Sequence, residues 1–246
     1  MPLRNLKGII EYDGTDFNGF QIQPEGSRTV QGEVTEALSK VLDHPLKIIG
    51  ASRTDSGVHA LGQVISFNTS GTRTVNEIKN GANSKSPGDW RFVELTEVSM
   101  NFHARFDAVS KTYIYLIDRL DSVLRRRMSW GIAEKIDIES MRKASELFKG
   151  EHDFKSFTTS GAHANDNTIR RIDEVDCIDE TDLIMISIKG GGFLYQMARR
   201  IVSGLVKIAK GELKVDDIDE LLQNPRFDAI GFAAPAKGLI LKEVNY

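Results

Sequence analysis

The chain has 246 residues, 40% of them hydrophobic and 27% charged, with 32 Lys and Arg against 35 Asp and Glu and a formal net charge of −3. That composition suits a folded core and excludes a disordered tail, a polybasic arm and, with a single cysteine (Cys177), an intrachain disulfide or a thiolate-rich metal site. No window approaches about 18 uninterrupted apolar residues and the first ten resemble no secretion signal, so the expectation is a soluble cytoplasmic protein without a membrane span.

In chain order, residues 6–12 read as a strand. Thr29 is placed to cap a helix whose apolar stripe is Val30, Val34, Ala37, Leu38, Val41 and Leu42, at steps of three and four. Leu46–Ile49 and Gln63–Phe67 read as strands. Thr74 and Glu77 fit a capping box at the start of a second helix, and Trp90–Val98 reads as a strand. Thr112–Ile117 alternates like a strand. Asp137 is placed to cap a helix carrying Met141, Ala144, Leu147 and Phe148, with Gly150 near its end. Ile169–Ile178 and Leu183–Ile188 suit a strand pair. A long helix is expected after Gly190-Gly191-Gly192, with Leu194, Met197, Ile201, Leu205 and Ile208 facing a core. Asp216–Leu222 suits a short helix and Leu239–Val244 a closing strand. The pattern is α+β, divided into 1–107 and 108–246.

The densest chemistry lies between two strands, in Gly50-Ala51-Ser52-Arg53-Thr54-Asp55-Ser56-Gly57-Val58-His59-Ala60. It combines a carboxylate, a guanidinium, hydroxyls, an imidazole and glycines on one loop, and loops held by rigid strands are favoured places for catalysis. Taken alone, the same residues also suit a polar turn. His44, His152 and His163 are scattered, and no pair has metal-ligand spacing. Cys177 reads as a buried apolar filler. The basic runs Arg125-Arg126-Arg127 and Arg170-Arg171 suit either phosphate contacts or solvated turns.

The run Arg53–Ala60 resembles the catalytic loop of the pseudouridine synthases that modify the anticodon arm of tRNA, the TruA-type family. The likeness continues in Glu11-Tyr12-Asp13-Gly14-Thr15, in Gly19-Phe20-Gln21 with Gln23 (Trp is more usual at the position of Phe20), and in Thr29-Val30-Gln31-Gly32. It extends through Phe102-His103-Ala104-Arg105-Phe106, Lys111-Thr112-Tyr113-Ile114-Tyr115, Gly150-Glu151-His152-Asp153-Phe154, the segment 193–202 and Ala234-Pro235-Ala236-Lys237-Gly238-Leu239.

The resemblance implies two subdomains, each like an RNA-recognition or ferredoxin-like fold, joined by a continuous antiparallel sheet with a central catalytic cleft. It implies isomerisation of uridine to pseudouridine at tRNA positions 38, 39 and 40, without cofactor or metal, by a homodimer. Asp55 is then the essential carboxylate, attacking the ribose C1′ or removing a proton from C2′. Arg199 pairs with it and keeps it charged, and Tyr113 stacks on the target base. Arg53 enters the RNA to hold the base outside the stack, and Arg200, His59 and Gln63 are further substrate contacts. Arg200, about 100° around the helix from Arg199, is expected at the surface. Three rivals remain. One is a non-catalytic RNA-binding protein of the same fold. Another is a haloacid-dehalogenase-type phosphatase, which would need Asp where this chain has Glu11. The third is a Ser52/Asp55/His59 hydrolase triad.

Overall fold

The computed structural model describes residues 2–23, 26–163 and 167–246, the side chains of 162 and 163 excepted. The chain divides into two compact units: Met1–Val109 with Leu241–Tyr246, and Ser110–Ile240. The contiguous division expected from the sequence made no provision for the last strand, which returns to the first unit.

In the first unit, strands Arg4–Tyr12 (β1), Ile49–Gly50 (β2), His59–Thr69 (β3) and Trp90–Val98 (β4) accompany helices Val30–Leu42 (α1) and Val75–Asn83 (α2). β1 runs antiparallel to both β3 and β4, β2 pairs with β3, and the final strand Leu239–Asn245 (β10) lies beside β3 from Leu241 onward. Alternation along β1 assigns its two faces. Leu6, Ile10 and Tyr12 are buried on one. On the other, the Asn5 amide donates to the carbonyls of Ser99 and Phe102 (3.0 and 2.8 Å), fastening the loop that follows β4. Ala51, Val64 and Ala104 form a small buried cluster there, with Ile9, Phe102 and Val244 packed on it.

Both expected caps are present. The Thr29 hydroxyl accepts from Gly32 N–H, and Thr74 and Glu77 satisfy each other's backbone N–H groups. Leu46–Ile49 is largely irregular, and only Ile49 joins the sheet.

The second unit holds Ser110–Asp118 (β5), Trp130–Gly131 (β6), Gly150–Asp153 (β7), Ile169–Asp179 (β8) and Leu183–Gly190 (β9), in the order β5-β9-β8-β7 with β6 parallel to β5. Its helices are Ile138–Glu146 (α3), Ser160–His163 (α4), Met197–Ala209 (α5) and Val215–Gln223 (α6). Asp137 caps α3 by accepting from Glu139 and Ser140 N–H. α5 begins at Met197, later than its apolar pattern suggests, because Gln196 adopts a left-handed conformation (φ 58°) that breaks the helical path. Leu194 is buried ahead of it. Each unit is therefore strands with a few helices, the α+β class expected, and β1 with β3 and β4, β2 with β3, β5 with β9, and β8 with β7 and β9 all pair antiparallel. Among the described residues no helix is long and apolar enough to cross a membrane.

Candidate active site

The loop 51–58 is held from two sides within the first unit. From below, Ala51 N–H donates to the Val64 carbonyl (2.8 Å). Next to that bond, the Gln63 amide pairs with the Ser52 backbone: its Nε2 donates to Ser52 O (2.8 Å) and its Oε1 accepts from Ser52 N–H (3.2 Å). A side-chain amide thus imitates one more rung of sheet. Gln63 is fully buried. Expected as a substrate contact, it is a brace beneath the loop, because both ends of its amide are committed there.

From the other side the loop meets the opening segment. Phe20 N–H donates to Thr54 O (3.1 Å), the Ser56 hydroxyl and Gly57 N–H both reach Phe17 O, and the Tyr12 and Thr54 hydroxyls share a hydrogen bond (2.8 Å). Two glycines make this approach possible. A Cβ on Gly14 would lie 2.0 Å from Val58 O, and one on Gly19, whose φ is +85°, would lie 2.8 Å from Thr54 O. The sequence separates these motifs by some forty residues, and the fold makes them one structure.

His59 is 1% exposed, and Gly14 N–H donates to its Nδ1 (3.0 Å). Asp13 Oδ1 lies 3.1 Å from the same nitrogen. Both contacts converge on one nitrogen and fix the ring against residues 13 and 14. The expected substrate contact is thus a buried histidine tying β3 to the opening segment.

Arg53 is exposed and Asp55 half-buried, with Val58 N–H closing a turn onto the Asp55 carbonyl (3.2 Å). The braced backbone therefore presents a guanidinium outward and a carboxylate beside it.

In the second unit, Tyr113 is buried on β5, its ring edge-on to Phe193 (centroids 5.0 Å apart). Tyr115, two residues on, is fully buried and donates its hydroxyl to Pro235 O (2.8 Å), and burial pushes that phenol far above the usual tyrosine range. Arg199 stands on the first turn of α5 and is half-buried. Its Nε donates to Ala234 O (2.7 Å) while Ala234 N–H donates back to Arg199 O (3.1 Å), a reciprocal lock between two matched motifs. Arg200, expected at the surface, is only 5% exposed and pairs with Asp228 Oδ1 (3.0 Å). α5 is apolar on nearly every side, so the 100° step carries Arg200 into the core.

The other candidates resolve similarly. Arg125 binds the buried Asp118 with two nitrogens at 2.9 Å each, Arg126 caps the Val123 carbonyl, and Arg171 meets Asp173. Cys177 is buried, which pushes its thiol up to about 12 and leaves it inert at neutral pH. His44 and His152 are engaged separately, with Thr69 and with the Lys149 carbonyl, and the side chain of His163 lies outside the described residues.

The class that the structure itself defines is an α+β protein carrying an arginine and a carboxylate on one braced loop. The chain matches the family described as tRNA pseudouridine synthase over residues 9–107 and 144–246. It is 42% identical to a tRNA pseudouridine synthase A of Citrifermentans bemidjiense, covering 99% of this chain and 98% of that protein. It is 39% identical to one of Acetivibrio thermocellus and 38% to one of Pseudothermotoga lettingae, each aligned over 99% of this chain and 100% of the relative. The chain belongs to the tRNA pseudouridine synthase family.

Proposed function

We propose that this protein isomerises uridine to pseudouridine in tRNA, at positions 38, 39 and 40 of the anticodon arm. The observation that carries the reading is the loop Arg53–Ala60, complete in its charged groups and braced by Gln63 from beneath and by residues 12–20 from the side. Family membership along nearly the whole chain supports it.

The reaction breaks the N1–C1′ glycosidic bond, turns the uracil, joins C5 to C1′ and moves the C5 proton to N1. It consumes no redox equivalent and no group donor. Asp55 is the essential carboxylate: it attacks C1′, or it removes a C2′ proton to give a glycal. Either route needs the carboxylate ionised in a site from which water is excluded, where desolvation opposes ionisation and a neighbouring guanidinium favours it. Arg199 is that cation, a role helped by a side chain already fixed through Nε. Tyr113, held edge-on by Phe193, packs against the target base. Arg53, exposed next to Asp55, fills the space the extruded base vacates, offsetting an unstacking cost of about a few kcal/mol. The enzyme works as a homodimer in the cytoplasm, where its tRNA substrate is, and needs no metal.

Asp55→Asn, Arg199→Ala and the unaltered protein, incubated with tRNA whose pseudouridines are then mapped, test the reading. Asp55→Asn is expected to bind tRNA and form no product. Arg199→Ala is expected to bind with modest loss and react far more slowly. Product formation by Asp55→Asn at the unaltered rate would refute the assignment, and tRNA binding without product from the unaltered protein would favour a non-catalytic RNA binder.

A further inference from the structure

The loop after β4 carries a feature that the site above does not use. Phe106 is 75% exposed, yet its ring is not loose. It lies nearly parallel to the His103 imidazole, centroids 4.3 Å apart and planes 26° apart. The backbone around it is tied in a tight knot. Arg105 and Phe106 N–H both donate to His103 Nδ1 (3.2 and 3.1 Å), His103 N–H donates to Asp107 Oδ2 (2.9 Å), and Asp107 N–H returns to His103 O (3.1 Å). The two bonds to Nδ1 fix the orientation of the ring behind Phe106.

A single exposed apolar side chain is ordinary. An exposed aromatic ring stacked on His103, above a loop tied by four hydrogen bonds, is not. The surroundings are cationic where ligand charge would sit. Arg105 is exposed, with its guanidinium 5.7 Å from the Phe106 centroid, and Lys7 stands over the Tyr246 ring (4.4 Å) on the same side of the sheet. Asp107, the adjoining carboxylate in sequence, already accepts from the His103 backbone. A flat open ring flanked by cations suits a nucleobase and its phosphate.

The platform and the catalytic loop grow from one root. Ala104 packs with Ala51 and Val64 in a single cluster, and Ala104 N–H donates to the Ser66 hydroxyl (3.2 Å). From Ala104 to Phe106 the chain extends at most about 7 Å, and from Ala51 to Asp55 about 14 Å. Asp55 and Phe106 therefore both lie within a short reach of one shared cluster.

We propose that Phe106, backed by His103, is a stacking platform for an unpaired base of the RNA substrate, with Arg105 on the adjoining phosphate. This deepens, and rests on, the reading of the chain as an enzyme of tRNA.

The test measures equilibrium binding of an anticodon-arm RNA hairpin by the unaltered protein and by F106A, F106L, F106W and R105A, with sedimentation and single-turnover pseudouridine formation on each. F106A is expected to weaken binding roughly 5- to 140-fold, the loss of one base stack. F106L, apolar but without a ring, is expected to behave like F106A. F106W is expected to restore affinity and to lose indole emission as RNA is added. R105A is expected to lower the slope of log affinity against log salt by about one. Binding by F106L equal to the unaltered protein, or a change of oligomeric state in F106A, overturns the platform. Absence of product from the unaltered protein instead overturns the synthase reading, and the ranking of the Phe106 variants in binding still decides the platform.

Discussion

Replacing Gln63 by Leu separates a brace from a substrate contact. The side chain is fully buried and spends both ends of its amide on Ser52. Leu keeps the bulk and removes two hydrogen bonds, each worth about 1 kcal/mol net. Ser52 is half-buried, so water can reach its freed N–H and carbonyl, and the full desolvation penalty is not incurred. The expected loss is therefore about 2 kcal/mol, a fall in melting temperature of roughly 4–8 °C for a chain of this size. The effect on catalysis is larger. Ser52 stands three residues before Asp55, and a carboxylate misplaced by about 1 Å costs roughly 100-fold in rate. Single-turnover rates, tRNA affinity and thermal unfolding measured together decide the matter. A brace gives a slow, less stable enzyme of near-normal affinity. Unchanged stability and rate with tenfold weaker binding would refute the reasoning and return Gln63 to the substrate.

Gly14→Ala drives a Cβ against the Val58 carbonyl from 2.0 Å, and backbone on both sides must move. The variant is expected to keep its far-ultraviolet circular dichroism and to lose pseudouridine formation by roughly 100-fold or more, as loop displacement requires. Asp118 is 1% exposed, and Arg125 with the Leu120 and Ser122 N–H groups holds its carboxyl down at about 2. A carboxyl depressed in the folded state stabilises above its ordinary value near 3.8 and loses that contribution as pH falls through about 2. Asp118→Asn is thus expected to be less stable than the unaltered protein at pH 7 by about 2 kcal/mol, and the gap to close between pH 4 and 2 in urea titrations. A gap independent of pH would contradict that linkage.

The parts of the fold visible in the sequence are the helix ends, set by neighbours two or three residues apart, and the longer strands, set by their runs of β-forming residues. The Thr29 cap, the Thr74–Glu77 box and the Asp137 cap all formed as expected, since each bond closes within one helical turn. Two short strands set by distant partners were not visible. β6 is two residues long and exists because Trp130 lies beside Ile117. β7 is Gly-Glu-His-Asp, with no alternation to betray it, and pairs with β8 some twenty residues on. The candidate loop stood out through its motif, but what holds it did not. The bonds from Gln63 to Ser52 span 11 positions, and no local pattern encodes them. Phe106 carried no signal beyond its motif, because exposure follows from the hydrogen bonds of residues 103–107 rather than from composition.

The adjacent arginines of α5 show why charge alone does not locate the substrate. The 100° helical step separates Arg199 from Arg200, but nothing in the step says which side meets protein. Only the burial of the remaining helix decides, and of its 13 residues all but Arg199 and Lys207 are buried. Arg200 is enclosed with one ion pair, while among the described residues its Nε and Nη1 find no acceptor. Such burial is costly unless it ties elements together. Here it joins α5 to Asp228, in a segment whose backbone also bonds to Ser156 and Thr158. A guanidinium enclosed in that way offers almost no surface to RNA. Under the proposed function, phosphate is met instead by exposed cations on braced loops, and Arg53 and Arg105 stand on two such loops that share one root.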